Sequence, residues 1–427
     1  MRLTRPALAS LLLLPALLGT ASPSPAAAVE EDVDCSGIEA STAEVYETDA
    51  VSIPTTVLDL EAAHAVFPDD GTLPGAGVKV AVLESGVHAG SPDLLEVVPG
   101  ESFTNQTALL DHHGTAVAGL VAGKPRGDQL TGIAPGAQIV DVRVYDDSEQ
   151  PEPPAVDVDP GRVAAGLRWV ARNAEAEGIG VATVALRLAR SRDLREAVDA
   201  ARRADVVVVA ASGNRPTEED DRLWPTYGEL KPGEDAAGEI FPAGYPGVVA
   251  VNASAGGHPD ELTGLDVRGT VLQSSATDVA APTYGGVSVG VNGSTCLLHD
   301  IVTSWAAAEV SGVVALLRDL YPDDTAPQIV ARLTQTAAGS PDDRNLLTGA
   351  GVVQPLEALT RPLTPDGRGD LDRDRPERST IPPAAAPDPE TDLLAAARED
   401  AVWWGLVGGG AVVLALLLRP LLARRWG

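Results

Sequence analysis

The sequence predicts an α/β fold: a mostly parallel sheet with helices on both faces, followed by one membrane-crossing helix near the C-terminus. Three observations carry this expectation. Short β-rich runs recur along the chain, helix-patterned stretches lie between them, and a long uncharged apolar run stands near the end. Strands that alternate with helices favour parallel pairing through crossover connections. In order, the strand-like runs are Val78–Leu83, which ends at Ser85-Gly86, then Gln138–Val144, Asp205–Ala210 and Gly247–Val251. The third is almost wholly apolar, as a strand covered on both faces must be. Helix-like stretches run from Gly161 to Asn173, Leu194 to Arg203 and Trp305 to Leu320. In the last, Ala306, Val310, Val313, Val314 and Leu317 recur at helical spacing.

Composition narrows the function. The 427 residues carry a net charge of −30, and 44% of them are hydrophobic. That is too apolar for a disordered chain. The acidity argues against nucleic acid and against adsorption on anionic lipid, both of which need basic surface. Two cysteines exclude a disulfide-rich miniature scaffold and a multi-cysteine metal site. His88, His112 and His299 are scattered without paired ligand spacing, so no metal site and no cofactor are expected.

Both ends read as targeting or anchoring segments. Arg2 and Arg5, the apolar stretch Ala7–Leu18 and the small residues up to Ala28 form a secretory signal peptide over residues 1–28. Residues 29–77 form an N-terminal extension, expected as a permanent wrap, with a removable pro-segment as the alternative. Residues 78–360 are assigned to one large domain. Residues 361–400, rich in Pro and Asp, read as a linker. Residues 401–418 form the span, which as a helix reaches about 27 Å at ~1.5 Å per residue. Arg419, Arg424 and Arg425 follow it, so residues 419–427 are expected as a cytoplasmic tail and the large domain as extracytoplasmic.

Four local patterns point to chemistry. Val82-Leu83-Glu84-Ser85-Gly86 places a carboxylate at a strand end. Asp111-His112-His113-Gly114-Thr115 opens a small-residue helix with a histidine. Ala211-Ser212-Gly213-Asn214 follows a buried strand with an amide, and Val302-Thr303-Ser304-Trp305-Ala306 opens another helix with a serine. A serine hydroxyl is a weak nucleophile and needs a base, the role expected of His113. The base needs a carboxylate to hold its tautomer, the role expected of Glu84, with Asp111 as a weaker substitute. A tetrahedral oxyanion needs donors, here the Asn214 amide and the Ser304 backbone N–H. Taken singly, His113 is equally a core histidine, Ser304 a helix cap and Asn214 a turn residue. Their joint occurrence is what carries the expectation.

The order acid, histidine, asparagine, serine resembles the subtilisin-like (S8) serine proteases. Ser91-Pro92-Asp93-Leu94, Gly132-Ile133-Ala134-Pro135-Gly136-Ala137, Phe241-Pro242-Ala243-Gly244-Tyr245-Pro246 and Val279-Ala280-Ala281-Pro282 match further motifs of that family. With signal peptide, Pro-rich linker and terminal span, the chain is similar to mycosins, the membrane-anchored subtilisin-like proteins of type VII secretion. The resemblance implies a three-layer subtilisin-like domain, a serine endopeptidase acting on peptide or protein, and a type VII secretion membrane complex as partner. It equally admits a catalytically impaired structural subunit.

The pattern is broken at four places. Glu84 stands where the family has Asp, one methylene longer. Val302 stands where it has Gly, which raises a conflict if that position needs a positive φ. Ala308 replaces Pro. Ala185-Leu186-Arg187 occupies the place of a substrate-binding strand end that finishes in Gly, so Leu186, Arg187 and Val302 are expected at the substrate groove. There Arg187 either selects acidic substrates or blocks the cleft. Cys35 and Cys296, outside the cytoplasm, are expected to form a bridge rather than remain two buried thiols.

Overall fold

The structure is a computed structural model, and it describes residues 29–30, 32–148, 154–256, 267–371 and 395–423. Residues 1–28, expected as a signal peptide, lie outside the described residues. The chain divides into two units, residues 1–372 and 373–427.

The first unit is organised by a seven-stranded sheet. Its strands are β1 (Lys79–Glu84), β2 (Val97–Ser102), β3 (Gln138–Arg143), β4 (Ile179–Val184), β5 (Val207–Ala211), β6 (Val249–Ser254) and β7 (Val279–Pro282), in the spatial order β2-β3-β1-β4-β5-β6-β7. Every neighbouring pair is parallel. The α/β expectation therefore holds, and the four strands read from sequence match β1, β3, β5 and β6 to within two residues at their starts.

Strand alternation explains the two-sided core. Val80 and Val82 of β1 and Val207 and Val209 of β5 join one apolar cluster; Ala81, Leu83, Val208 and Ala210 join the other. Successive side chains leave a strand on opposite faces, so an uninterrupted apolar run fills both. The first cluster contains residues of α1 (His113–Ala122) and α4 (Thr303–Leu320), the second residues of α2 (Pro160–Glu177) and α3 (Arg192–Arg203). Asp159 caps α2 and Ser191 caps α3 through side-chain acceptors, which fixes where each begins. A further helix, α5 (Ala326–Gln335), starts with a Thr325/Gln328 capping box.

The strand order reverses around β1, whose neighbours are β3 and β4. The crevice at the carboxyl ends of strands beside such a reversal is the usual ligand site of open α/β sheets. Glu84 is the last residue of β1.

The N-terminal extension lies along the hairpin β8 (Gly286–Val289) and β9 (Thr295–Leu298). Leu297 N donates to Val33 O, Tyr46 N to Ser294 Oγ and Thr48 N to Thr295 Oγ1, and Cys35 is disulfide-bonded to Cys296. The first residues of the segment expected as linker are bonded to the domain. Arg361 Nη1 donates to Gln335 O and Gln328 Nε2 to Pro365 O, so residues 361–371 pack on α5. Polar composition marks absence of a core, but backbone carbonyls can still be held by neighbouring side chains.

The second unit's described part is one helix, α6 (Ala395–Ala423). Its stretch Asp400–Arg419 is long and apolar enough to cross a membrane.

Candidate active site

Each side chain of the expected constellation stands where an element ends or begins. Glu84 closes β1 and is fully buried. His113 opens α1, and Asp111 Oδ1 accepts its backbone N–H at 2.8 Å. Asp111 thus secures the start of the histidine helix instead of replacing the acid. Gly114 is required next to it: a Cβ there would lie 2.5 Å from Gly86 O and 3.0 Å from Glu84 Cβ. That close approach brings the imidazole to the strand end, and His113 Nδ1 lies 2.9 Å from Glu84 Oε2. A carboxylate at this distance makes Nδ1 the protonated nitrogen and leaves Nε2 as the acceptor.

The extra methylene of Glu84 is accommodated by partners that Asp could not reach in the same way. Tyr145, just beyond β3, donates its hydroxyl to Oε2 at 2.7 Å, and Ser85 N donates to the same oxygen at 3.3 Å. Oε1 is buried with no hydrogen-bond partner among the described residues. Burial, reinforced by the Glu84 charge, holds the Tyr145 phenol well above its ordinary pKa, so it remains a donor. Burial alone lowers the His113 pKa, but the charge and hydrogen bond of Glu84, with the charge of Asp111, prevail and raise it. The Trp305 ring lies 4.7 Å from that of His113, centroid to centroid.

Asn214 follows β5, with Gly213 before it at φ +94°. Its Oδ1 accepts from Thr303 N at 2.8 Å and from Thr303 Oγ1 at 3.1 Å. Because a backbone N–H can only donate, the amide oxygen must face Thr303, which turns Nδ2 to the other side of the fork. The same bond satisfies the first N–H of α4. Ser304, the second residue of the helix, has no intrahelical carbonyl for its own N–H. Val302 adopts φ −133°, ψ 147°, so the feared positive φ does not arise and a β-branched residue fits. Its side chain packs on the core, and it does not line the cleft described next.

A cleft of about 600 Å³ brings His113, Asn214, Thr303 and Ser304 together, with Tyr145 also in its lining. Ala185–Ala189, including Leu186 and Arg187, and residues of the loop from Gly213 to Asp221 also line it. Glu84 sits behind His113, outside the lining. Among the described residues, none of the N-terminal extension lines the cleft. Arg187 Nη2 pairs with Asp221 Oδ2 at 2.6 Å. Chemically, the arrangement offers a hydroxyl, an imidazole oriented by a carboxylate, and two N–H donors, the set an acyl-transfer reaction needs. Among the described residues no cluster of three or more His, Cys, Asp or Glu is placed to hold a metal ion.

Sequence reasoning missed Tyr145 and Asp221. Neither carries a local motif; Tyr145 is brought to Glu84 by the pairing of β1 with β3, and Asp221 to Arg187 by the course of a loop.

The subtilase family model matches residues 75–355, and the chain belongs to that family. Within it the chain is of the mycosin type. It is 33% identical to Mycosin-1 of Mycobacterium tuberculosis over 366 residues, covering 77% of this chain and 78% of the relative. It is 30% identical to Mycosin-3 of the same organism over 369 residues, covering 78% and 77%. The solved structure of MycP3 protease from the type VII (ESX-3) secretion system aligns with a TM-score of 0.55 at 30% identity, covering 81% of this chain and 99% of that one.

Proposed function

We propose that this chain is a membrane-anchored serine endopeptidase that acts on peptide or protein outside the cytoplasm as part of a type VII secretion machinery. The observation that carries the hydrolase assignment is the His113–Glu84 hydrogen bond, on an imidazole that shares one cleft with Ser304 and Asn214. In this scheme Ser304 Oγ attacks the substrate carbonyl and His113 Nε2 takes its proton, later giving it to the leaving amine. Glu84 holds the ring and offsets the imidazolium charge, and Asn214 Nδ2 with Ser304 N–H receives the oxyanion. The anchor rests on the apolar helix, and the secretion partner on the likeness to a protease from such a system.

Labelling of the full chain in detergent with a serine-directed fluorophosphonate, beside a Ser304→Ala control, tests the chemistry. Labelling lost in the control is expected; labelling equal in both overturns the role of Ser304. A second function, a structural subunit without turnover, is favoured by the unpartnered Glu84 Oε1 and by the ion pair across the groove. It predicts co-purification with a type VII secretion membrane complex that survives Ser304→Ala, and no fluorophosphonate uptake.

A further inference from the structure

Two segments that line the cleft are tied together by an ion pair. Arg187 leaves the Ala185–Ala189 segment and runs over Gly213, where a Cβ would lie 2.8 Å from Arg187 Cδ and 3.4 Å from its Cγ. Its guanidinium then reaches Asp221, which also lines the cleft. Asp221 is itself fixed, since its Oδ1 accepts from Leu223 N at 2.7 Å. Both side chains are three-quarters buried, at 24% and 25% exposed. The aliphatic part of Arg187 therefore occupies the space over Gly213, the residue immediately before the Asn214 amide.

Ser304, Asn214, Arg187 and Asp221 line one cleft, and Gly213, which Arg187 covers, adjoins the Asn214 amide in the chain. We propose that the Arg187–Asp221 pair is a bar that closes the subsite beside the scissile bond, restricting that residue of the substrate to small uncharged side chains. The proposal rests on the hydrolase assignment and names its substrate class. Charge does not reverse it. The guanidinium already has its carboxylate, and Asp157, Glu218 and Asp220, which also line the cleft, have no ion-pair partner among the described residues. An acidic substrate residue would have to displace Asp221 and face three further carboxylates, so the sequence expectation of acid selection by Arg187 gives way to selection by size.

Fluorogenic peptides differing only in the residue before the scissile bond (Ala, Phe or Asp) test this on the full-length protein. The wild type is expected to cleave after Ala at least tenfold better in kcat/KM than after Phe or Asp. Arg187→Gly should raise the Phe/Ala ratio by about tenfold or more, the scale on which pocket shape discriminates apolar side chains. Asp221→Asn, which leaves the arginine in place but frees it, should move the ratio the same way and covers a failure of Arg187→Gly to fold. A wild type that cleaves after Phe or Asp as well as after Ala, or a ratio unmoved by both variants, overturns the bar. If the wild type takes no fluorophosphonate at Ser304, the hydrolase assignment fails separately. The bar is then read by fluorescence anisotropy of labelled hexapeptides ending in Ala or Phe, on Ser304→Ala with and without Arg187→Gly. A tenfold gain in relative affinity for the Phe peptide supports it, and an unchanged ratio sinks it.

Discussion

Three donors converge on one oxygen of Glu84: His113 Nδ1, Tyr145 OH and Ser85 N. The site is thus built for a glutamate, and the longer acid is not a defect to be repaired. Glu84→Asp should lower the fluorophosphonate rate, because shortening by one methylene separates the carboxylate from both His113 and Tyr145. Tyr145→Phe keeps the ring and removes the hydroxyl. A hydrogen bond to a charged group contributes about 1.5–3 kcal/mol, so a fall of roughly ten- to a hundredfold in rate is expected. In the Glu84→Asp background the same change should cost little, and additive losses would show that Tyr145 does not act through Glu84. The raised His113 pKa sets the pH dependence. Reactivity needs the neutral ring, so the acid limb of the rate profile should lie above the ordinary imidazole value of 6.5. Stability runs the other way. Because the folded pKa is raised, the His113–Glu84 pair contributes fully below 6.5, and the contribution fades as pH rises through the folded value. Denaturation of wild type and His113→Gln across pH 5 to 9, beside the rate profile, checks both signs, and the two wild-type curves should cross.

At the scale of elements, α4 does two jobs at once. Its first turn presents Ser304, and the remainder is buried against the sheet through Ala306, Val310, Val313, Val314 and Leu317. One residue contradicts that burial. Glu309 is 1% exposed, and neither carboxylate oxygen has a hydrogen-bond partner among the described residues. Burial pushes its pKa well above the ordinary value, so the folded chain favours the neutral acid. The cost is absent below the unfolded pKa near 4.5 and grows as pH rises toward the folded value. Glu309→Leu should therefore stabilise the protein at neutral pH by about 1–3 kcal/mol, with a gain that shrinks toward pH 4. Thermal unfolding at the two pH values measures it; a gain independent of pH would mean the side chain is not titrating in place.

The first unit carries contacts on both sides of its sheet-forming segment in the sequence. The extension is bonded along β8 and β9 and bridged by Cys35–Cys296, and residues 361–371 are held on α5. All of those contacts lie within the first unit. Truncation after Asp372 should yield a chain that stays in solution without detergent and labels at Ser304 at the full-length rate. Sedimentation with membranes before and after truncation, with labelling of each, is the measurement. A truncated chain that still partitions into membranes would remove the anchoring role of α6.

By itself the sequence determined the α/β class, the strands β1, β3, β5 and β6 and the apolar helix near the C-terminus, and it marked Glu84, His113, Asn214 and Ser304 as candidates. All of these are written locally: apolar runs mark strands filled on both faces, and each chemical group sits within a short motif at the end or start of an element. Only the tertiary structure decided that Tyr145 shares the oxygen of Glu84, that Val302 stays in extended backbone, and that Arg187 is held by Asp221 across the cleft. Those facts depend on which strands become neighbours and where a loop returns. Contacts between residues far apart in the chain are fixed by packing, which no single stretch of sequence records.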